Sequence, residues 1–518
     1  MNSLLEKIIN EAISKNISTE EDFLSLTKEV FRGGKQAKFP SNIELRKVYK
    51  SMVQDGKLEP SKQLEKILVT KKMRSLSGVA VITVLTKPAP CPGKCLYCPS
   101  QKDVPKSYLA SEPAVMRAIL CEYNPYRQVE ARLSALELEG HPTDKIELIV
   151  IGGTFSALPR DYQEEYIKRC FDALNKTNSK DLDGAKKKNE TAKHRCVGLT
   201  LETRPDYISE EEVEHMRYLG ATRVELGVQS VFDDVLKYNK RGHKVQRTIE
   251  ATKLLKNAGL KVCYHMMPNL PGSNLKKDLE MFKVIFTGQR FQPDYIKIYP
   301  CMVTKGSDLY ALWRAGKYKP YSDKELEDLI CEIKKTVPYH VRIMRLIRDI
   351  PSSDIEAGSK VSNLRQNAQK RLAEEDLKCK CIRCRESGLN LAKNDSIQLF
   401  KEEYEASKGR EIFLSYESDD RTTLYSLLRL RLTKDVFISE IKGCALIREL
   451  HTYGQQIRIG KKGDTQHKGL GKKLILEAEK IAKENGYKKI AIIAGVGVRD
   501  YYKKMGYKLE GEYMTKDL

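Results

Sequence analysis

Six short apolar runs, VAVITVL, IELIVIGG, VGLTLE, RVELGVQ, KVCYHMM and YIKIYP, recur between Val79 and Pro300, each followed by a longer stretch with helical spacing. Strands that alternate with helices pair in parallel, because a parallel connection must cross over and a helix is the usual crossover. Six such units predict an open or partial barrel over residues 76–345, with its functional side chains at the carboxyl ends of the strands. After residue 396 the pattern changes. FLSY, LYSLLRLRL, VFISEI and CALIREL read as consecutive antiparallel strands ahead of a helix opening at QHKGLGKKL, so 396–518 is expected to be a separate α+β domain. Residues 1–75 read as a basic helical region, and 346–395 as a linker. NKTNSKDLDGAKKKNETAKHR is expected to be a flexible insertion between barrel units.

At 518 residues the chain exceeds what one core supports, and about three domains follow. No apolar run reaches the roughly 20 residues needed to cross a bilayer, so no membrane partner is expected. MNSLLEKIINEAISK lacks the apolar stretch of a secretory signal, and a cytoplasmic address is expected. The net charge of +22, from 92 basic and 70 acidic side chains, favours a polyanion such as nucleic acid. Composition alone equally allows a basic, solvated surface.

Six of the 13 cysteines fall in two tight triplets, which in a reducing compartment suggests metal ligands. Cys91, Cys95 and Cys98, in CPGKCLYCPS, follow the first barrel strand. Three thiolates hold three irons of a 4Fe-4S cluster and leave the fourth open. An open iron can bind S-adenosylmethionine (SAM) and cleave it to a 5′-deoxyadenosyl radical, and the Cx3Cx2C spacing resembles that of radical SAM enzymes. A zinc site with a remote ligand, or a structural cluster with a fourth cysteine elsewhere, is the alternative. At the other strand ends, Gly152 and Gly153 permit close backbone approach to the methionine moiety. Glu202, Thr203 and Arg204, with Gln229 and Ser230, complete the expected cofactor rim; singly, they are ordinary strand caps.

Gln466, Gly469 and Gly471, in QHKGLG, resemble the Q/R-x-x-G-x-G/A loop of the GNAT acetyltransferase fold, where backbone amides at a helix N-terminus meet the CoA pyrophosphate. KIAIIAG and VRDYYKKMGY resemble that fold's next strand and helix. Tyr502 then stands where a tyrosine can protonate the departing thiolate, or is a core aromatic.

The ordered motifs RSLSGVAVITVLTKPAPCPGKCLYCP, SEPAVMRAILCEYNPYRQ, GGTF, ETRPDY, ELGVQS, LPGS, IKIYP, RDIP and GVRDYYKKMGY resemble the catalytic subunit of Elongator over about residues 70–518. The resemblance implies an α/β chain with a partial (βα)6 TIM-like radical SAM barrel followed by a GNAT domain. It implies a tRNA uridine carboxymethyl synthase: a radical on the acetyl group of acetyl-CoA adds to C5 of the wobble uridine, and thioester hydrolysis leaves a carboxymethyl group. It places the cluster on Cys91, Cys95 and Cys98. Acetyl-CoA contacts fall on Lys145, on Glu449, Leu450, His451 and Thr452, on Leu470, Gly471 and Lys472, and on Tyr502. Because Lys145 belongs to the barrel, the two modules must then touch.

The second triplet, Cys379, Cys381 and Cys384, suits tetrahedral zinc, with Cys301, Cys331 and the histidines open as fourth ligand; a cysteine-rich turn without metal is the alternative. Lys71, Lys72 and Arg74, and Arg342, Arg345 and Arg348, are candidates for the phosphates of a tRNA anticodon stem-loop, or are solvated faces. An external electron donor and a homodimer are further partners expected. Two other functions stay open: a protein lysine acetyltransferase with a structural iron-sulfur domain, and a non-enzymatic tRNA scaffold.

Overall fold

The computed structural model of the chain describes residues 2–32, 39–70, 77–388, 396–454 and 469–518. The apolar runs form parallel strands β1 (Ala80–Leu85), β2 (Lys145–Ile151), β3 (Arg195–Thr203), β4 (Arg223–Gln229), β5 (Lys261–Met266) and β6 (Tyr295–Ile298). Beyond a short β7 (Val303–Thr304), β8 (Arg342–Arg345) adds a seventh parallel strand beside β6, and β9 (Ile355–Ala357) pairs back on β7. The sheet order, β1-β2-β3-β4-β5-β6-β8, follows the chain. Right-handed crossovers that always add to the same edge curl such a sheet, and among the described residues β1 and β8 do not pair, so the half-barrel stays open.

The two-residue period of the strands divides the side chains between two environments. Ile82 and Val84 of β1, with Ile146, Leu148 and Val150 of β2, pack outward into the main core against the crossover helices. Their neighbours Val81, Thr83, Glu147 and Ile149 turn into the lumen, where they line cavities.

Four helices, Asn2–Ser14, Glu20–Arg32, Asn42–Gln54 and Lys62–Ile67, precede the barrel. They enclose a core of their own built on Ile8, Ile9, Leu45 and Tyr49. The unit leans on the barrel helix Pro125–Glu139, where Lys50 Nζ donates to the Glu137 carbonyl at 3.2 Å.

The expected flexible insertion instead forms a helix with one buried face. Asp181 caps a helix over Leu182–Asn189, and Leu182 and Ala185 join the main core. Lys186 is 3% exposed and donates to the Tyr218 carbonyl and to Glu512 Oε1, both at 2.7 Å. Low complexity misled because one of the lysines, Lys186, serves a contact with the distant carboxyl-terminal domain.

That domain holds a seven-stranded sheet of β10 (Ile397–Ala406), β11 (Gly409–Ser418), β12 (Leu424–Leu432), β13 (Cys444–Thr452), β14 (Lys489–Ile492), β15 (Lys508–Glu510) and β16 (Tyr513–Asp517). All its pairs are antiparallel except β13 with β14, which pair in parallel only over Cys444–Ile447. The second half of β13 therefore parts from β14 and leaves a notch, beside which helix Leu470–Glu484 begins. The domain packs directly on the foot of the barrel. A Cβ on Gly495 would lie 2.2 Å from the Val197 carbonyl oxygen, so only glycine permits this approach.

Candidate active site

Two cavities fill opposite ends of the barrel. One, of about 590 Å³, lies at the carboxyl ends of the strands and is lined by Cys91, Cys95 and Cys98 together with Gly153, Glu202, Thr203, Arg204 and Gln229. The loop carrying the cysteines is held from both sides: Leu96 N–H donates to the Asn239 carbonyl at 3.2 Å, and the Leu96 carbonyl accepts from Leu309 N–H at 2.8 Å. Gly93 gives the loop its close fit, since a Cβ there would stand 2.3 Å from Arg204 Nη1. Arg204 cannot easily yield, being bound to Asp206 through Nε at 2.9 Å and Nη2 at 2.8 Å, and to the Arg241 carbonyl at 2.7 Å.

The electrostatics favour a thiolate at Cys95. A hydrogen bond with Cys98, helped by the Arg241 guanidinium 3.5 Å from its sulfur, holds the Cys95 thiol down at about 4 despite burial. The same contact with Cys95, reinforced by burial, pushes Cys98 up. Arg204 Nη1, Gln229 Oε1 and Arg241 Nε, all on lining residues, are buried without a hydrogen-bond partner among the described residues. Buried polar atoms ordinarily find partners, so this set fits a polar ligand beside the cysteines. A 4Fe-4S cluster with SAM is such a group.

The rim residues differ in their parts. Glu202 accepts from Tyr108 Oη at 2.6 Å. Gln229 holds φ at 69°, a left-handed conformation that turns its side chain out of the strand pattern. Gly152, at φ 136°, leaves room for Thr86, whose Oγ1 would be 2.1 Å from a Cβ; its neighbour Gly153 lines the cavity. Ser230 is buried outside the cavity lining and accepts from Phe232 N–H at 3.3 Å.

The second cavity, of about 800 Å³, opens at the amino ends of the strands, between the barrel and the carboxyl-terminal domain. It gathers Lys145, Glu449, Leu450, His451, Thr452, Gly469, Leu470, Gly471, Lys472 and Tyr502. Gln466 lies outside the described residues. Gly469, left-handed at φ 84°, starts the helix whose free amides face this space. Glu449 accepts from Tyr295 of β6 and from Arg429 Nε at 2.7 Å. Burial opposes its charge, but Arg429 and Lys261 outweigh it and hold the carboxyl at about 2. Burial lowers Lys261 to about 8 and raises Tyr502 above the usual phenol range. The two cavities share Val81, Glu147 and Met344 as walls, so they adjoin along the lumen.

Sequence reading missed the lumen residues His265 and Lys297. His265 Nε2 lies 2.8 Å from Glu225 Oε2, which Lys297 also contacts. A histidine or lysine inside an apolar strand run, as in KVCYHMM and YIKIYP, was the available signal. One expectation needs correction. Arg342 is no phosphate ligand: it is paired with Glu386 Oε2 at 2.8 Å and Tyr453 Oη at 3.2 Å at the foot of the barrel. Arg348, bonded to Glu112 and the Ser107 carbonyl, and Arg345, paired with the exposed Asp349, both line the cysteine-end cavity. Lys71, Lys72 and Arg74 lie outside the described residues. The sulfurs of Cys379, Cys381 and Cys384 do converge within 4.8 Å of one another, but among the described residues neither Cys301, Cys331 nor a histidine joins them. Lys334 Nζ instead approaches Cys384 Sγ at 3.3 Å.

Residues 90–285 match the radical SAM superfamily, 293–374 a radical SAM carboxyl-terminal domain, and 394–507 the GNAT acetyltransferase family. The chain is 49% identical over 496 residues to the tRNA uridine(34) acetyltransferase of Methanocaldococcus infernus, covering 92% of each chain. The chain belongs to the family of tRNA uridine(34) acetyltransferases and Elongator complex protein 3. Human Elongator complex protein 3 is 41% identical over 471 residues, 87% of this chain and 86% of that one. A solved structure of the archaeal M. infernus Elp3, lacking residues 1–46, aligns with a TM-score of 0.77 at 46% identity, covering 86% of this chain and all of that one. Membership of this family brings a 4Fe-4S cluster, SAM and acetyl-CoA as cofactors and co-substrate, in keeping with the two cavities.

Proposed function

We propose that the chain forms 5-carboxymethyluridine at the wobble position of tRNA from acetyl-CoA, in the cytoplasm, with residues 1–75 helping to hold the tRNA. The observation that carries this reading is the shared wall of the two cavities at Val81, Glu147 and Met344. An acetyl group held beside Glu449 and Tyr502 is thereby directed up the lumen toward the cysteine end. The names of the relatives, tRNA uridine(34) acetyltransferase, support the substrate.

Cys91, Cys95 and Cys98 would hold the cluster, which with SAM supplies a carbon-centred radical. Gly153, Glu202 and Gln229 line the space for SAM, and Gln229 Oε1, without a partner among the described residues, offers an acceptor there. At the other end, Lys145, Leu450 to Thr452 and the amides of Gly471 and Lys472 would orient CoA. Tyr502, a phenol that burial keeps protonated well beyond neutral pH, would give its proton to the departing thiolate. The convergent thiols of Cys379, Cys381 and Cys384 would hold zinc.

The test is anaerobic incubation of reconstituted protein with SAM, acetyl-CoA, reductant and tRNA, followed by nucleoside mass spectrometry. A carboxymethyluridine product is expected. Acetylated protein lysine without modified nucleoside would overturn the reading.

A further inference from the structure

The outer face of the cysteine loop carries a basic surface that neither cavity uses. The loop is roofed by two segments, residues 232–247 and 305–319, through the Leu96 bonds to Asn239 and Leu309 and through Ser100 N–H donating to the Gly306 carbonyl at 3.0 Å. Lys94, between Cys91 and Cys95, is exposed, as are Lys237, Lys240, Lys244, Arg314 and Lys317 on the two roofing segments. The acidic groups of these segments are already engaged: Asp308 with Lys240 at 3.8 Å, Asp234 with Lys277 at 2.5 Å, and Asp233 with the Val245 amide at 2.7 Å. Beside Lys237 in the chain, Tyr238 is 51% exposed, an aromatic anchor of the kind that interface centres favour. None of these side chains lines the cavity in which a nucleobase would react.

We propose that this face docks an acidic one-electron carrier protein, of the iron-sulfur or flavin class, that reduces the cluster held by Cys91, Cys95 and Cys98. The inference rests on that cluster assignment. One electron leaves the reduced carrier, which is oxidised, and enters the cluster, which is reduced; no atom is transferred. Arg241 Nη1, against Cys95 Sγ, and Leu96, bonded to Asn239, join the surface segment to the cysteine loop by one hydrogen bond each, so a carrier seated there stands over the loop while the SAM cavity stays free for tRNA. Charge complementarity selects an acidic partner and accelerates its encounter.

The test compares the reconstituted full chain with a Lys237→Glu/Lys240→Glu/Lys244→Glu variant, using a photoreduced acidic 2Fe-2S ferredoxin as probe. Stopped-flow bleaching of the cluster should slow at least about tenfold at low salt and lose most of its ionic-strength dependence. Ferredoxin binding to the cluster-free chain, followed by NMR, should weaken in parallel. Dithionite reduction, iron content and tRNA affinity should match the parent, and Lys480→Glu/Lys483→Glu on the far helix should change nothing. An unchanged ferredoxin rate would overturn the proposal, as would loss of tRNA affinity alone, which would mark a nucleic-acid surface. If dithionite fails to reduce the parent, the cluster assignment itself falls.

Discussion

Arg448 of β13 and Asp294, just ahead of β6, are both wholly buried, with Nη2 2.5 Å from Oδ1 across the junction of the two domains. They anchor a network. Lys256 reaches Asp294 at 3.5 Å and Glu411 at 3.6 Å, and Arg431 reaches Glu411 at 2.9 Å and Asn257 at 2.6 Å. Such a network specifies how the domains seat more than it adds net stability, because desolvation offsets much of the attraction.

Removing one partner should therefore be costly. Asp294→Asn strands Arg448 and Lys256 without a full counter-charge and should cost about 3–5 kcal/mol, read as a lower Tm in calorimetry. A Tm within a degree of the parent would refute the role given to Asp294.

Acid should act on the same junction. Burial opposes ionisation of Glu411 and Glu449, but their cationic neighbours bring both from an ordinary 4.5 to about 2. Folded values below unfolded ones mean that this stabilisation is complete above about pH 4.5 and is lost as pH falls toward 2. Melting curves between pH 6 and 2.5 should show Tm dropping mainly below 4.5, and a flat profile there would contradict the assignment.

Gly93→Ala should damage the cysteine loop. Its methyl group would meet Arg204, which Asp206 holds in place; overpacking of this kind costs about 1–3 kcal/mol. Iron and sulfide retained after reconstitution should fall, and Gly93→Ala/Arg204→Ser should recover iron. Full iron retention in the single variant would show that the loop has slack.

Tyr502→Phe keeps the ring in the domain core and removes the hydroxyl. Turnover should drop about 100-fold or more, the scale of general-acid catalysis, with the Kd for CoA unchanged. A loss confined to CoA binding would make Tyr502 a packing residue.

Cys381→Ser should abolish zinc in the purified protein while Cys331→Ser retains it, because only the former's sulfur belongs to the convergent triplet. Metal analysis decides this, and unchanged zinc in Cys381→Ser would reject the site.

Much was legible from local pattern. The parallel strands follow from apolar runs that alternate with helices, and the cysteine loop from spacing within eight residues at a strand end. The motif matches named Lys145 and Glu449 individually. What local pattern could not supply is where polar side chains of a strand go. In LLRLRL, alternation separates Leu428 and Leu430 from Arg429 and Arg431, and a strand considered alone would turn its arginines to water. Here both arginines are buried against the foot of the barrel, facing Glu449, Glu411 and Asn257. Likewise β8 is short and charged and gains strand character by pairing with β6, and Lys186 is buried because Glu512, far along the chain, receives it. Sequence by itself determined the two modules and the chemistry of their ligands, since both reside in local periodicity and spacing. Only the tertiary structure decided that the modules join end to end around one lumen, because that depends on charges which meet only after each domain has folded.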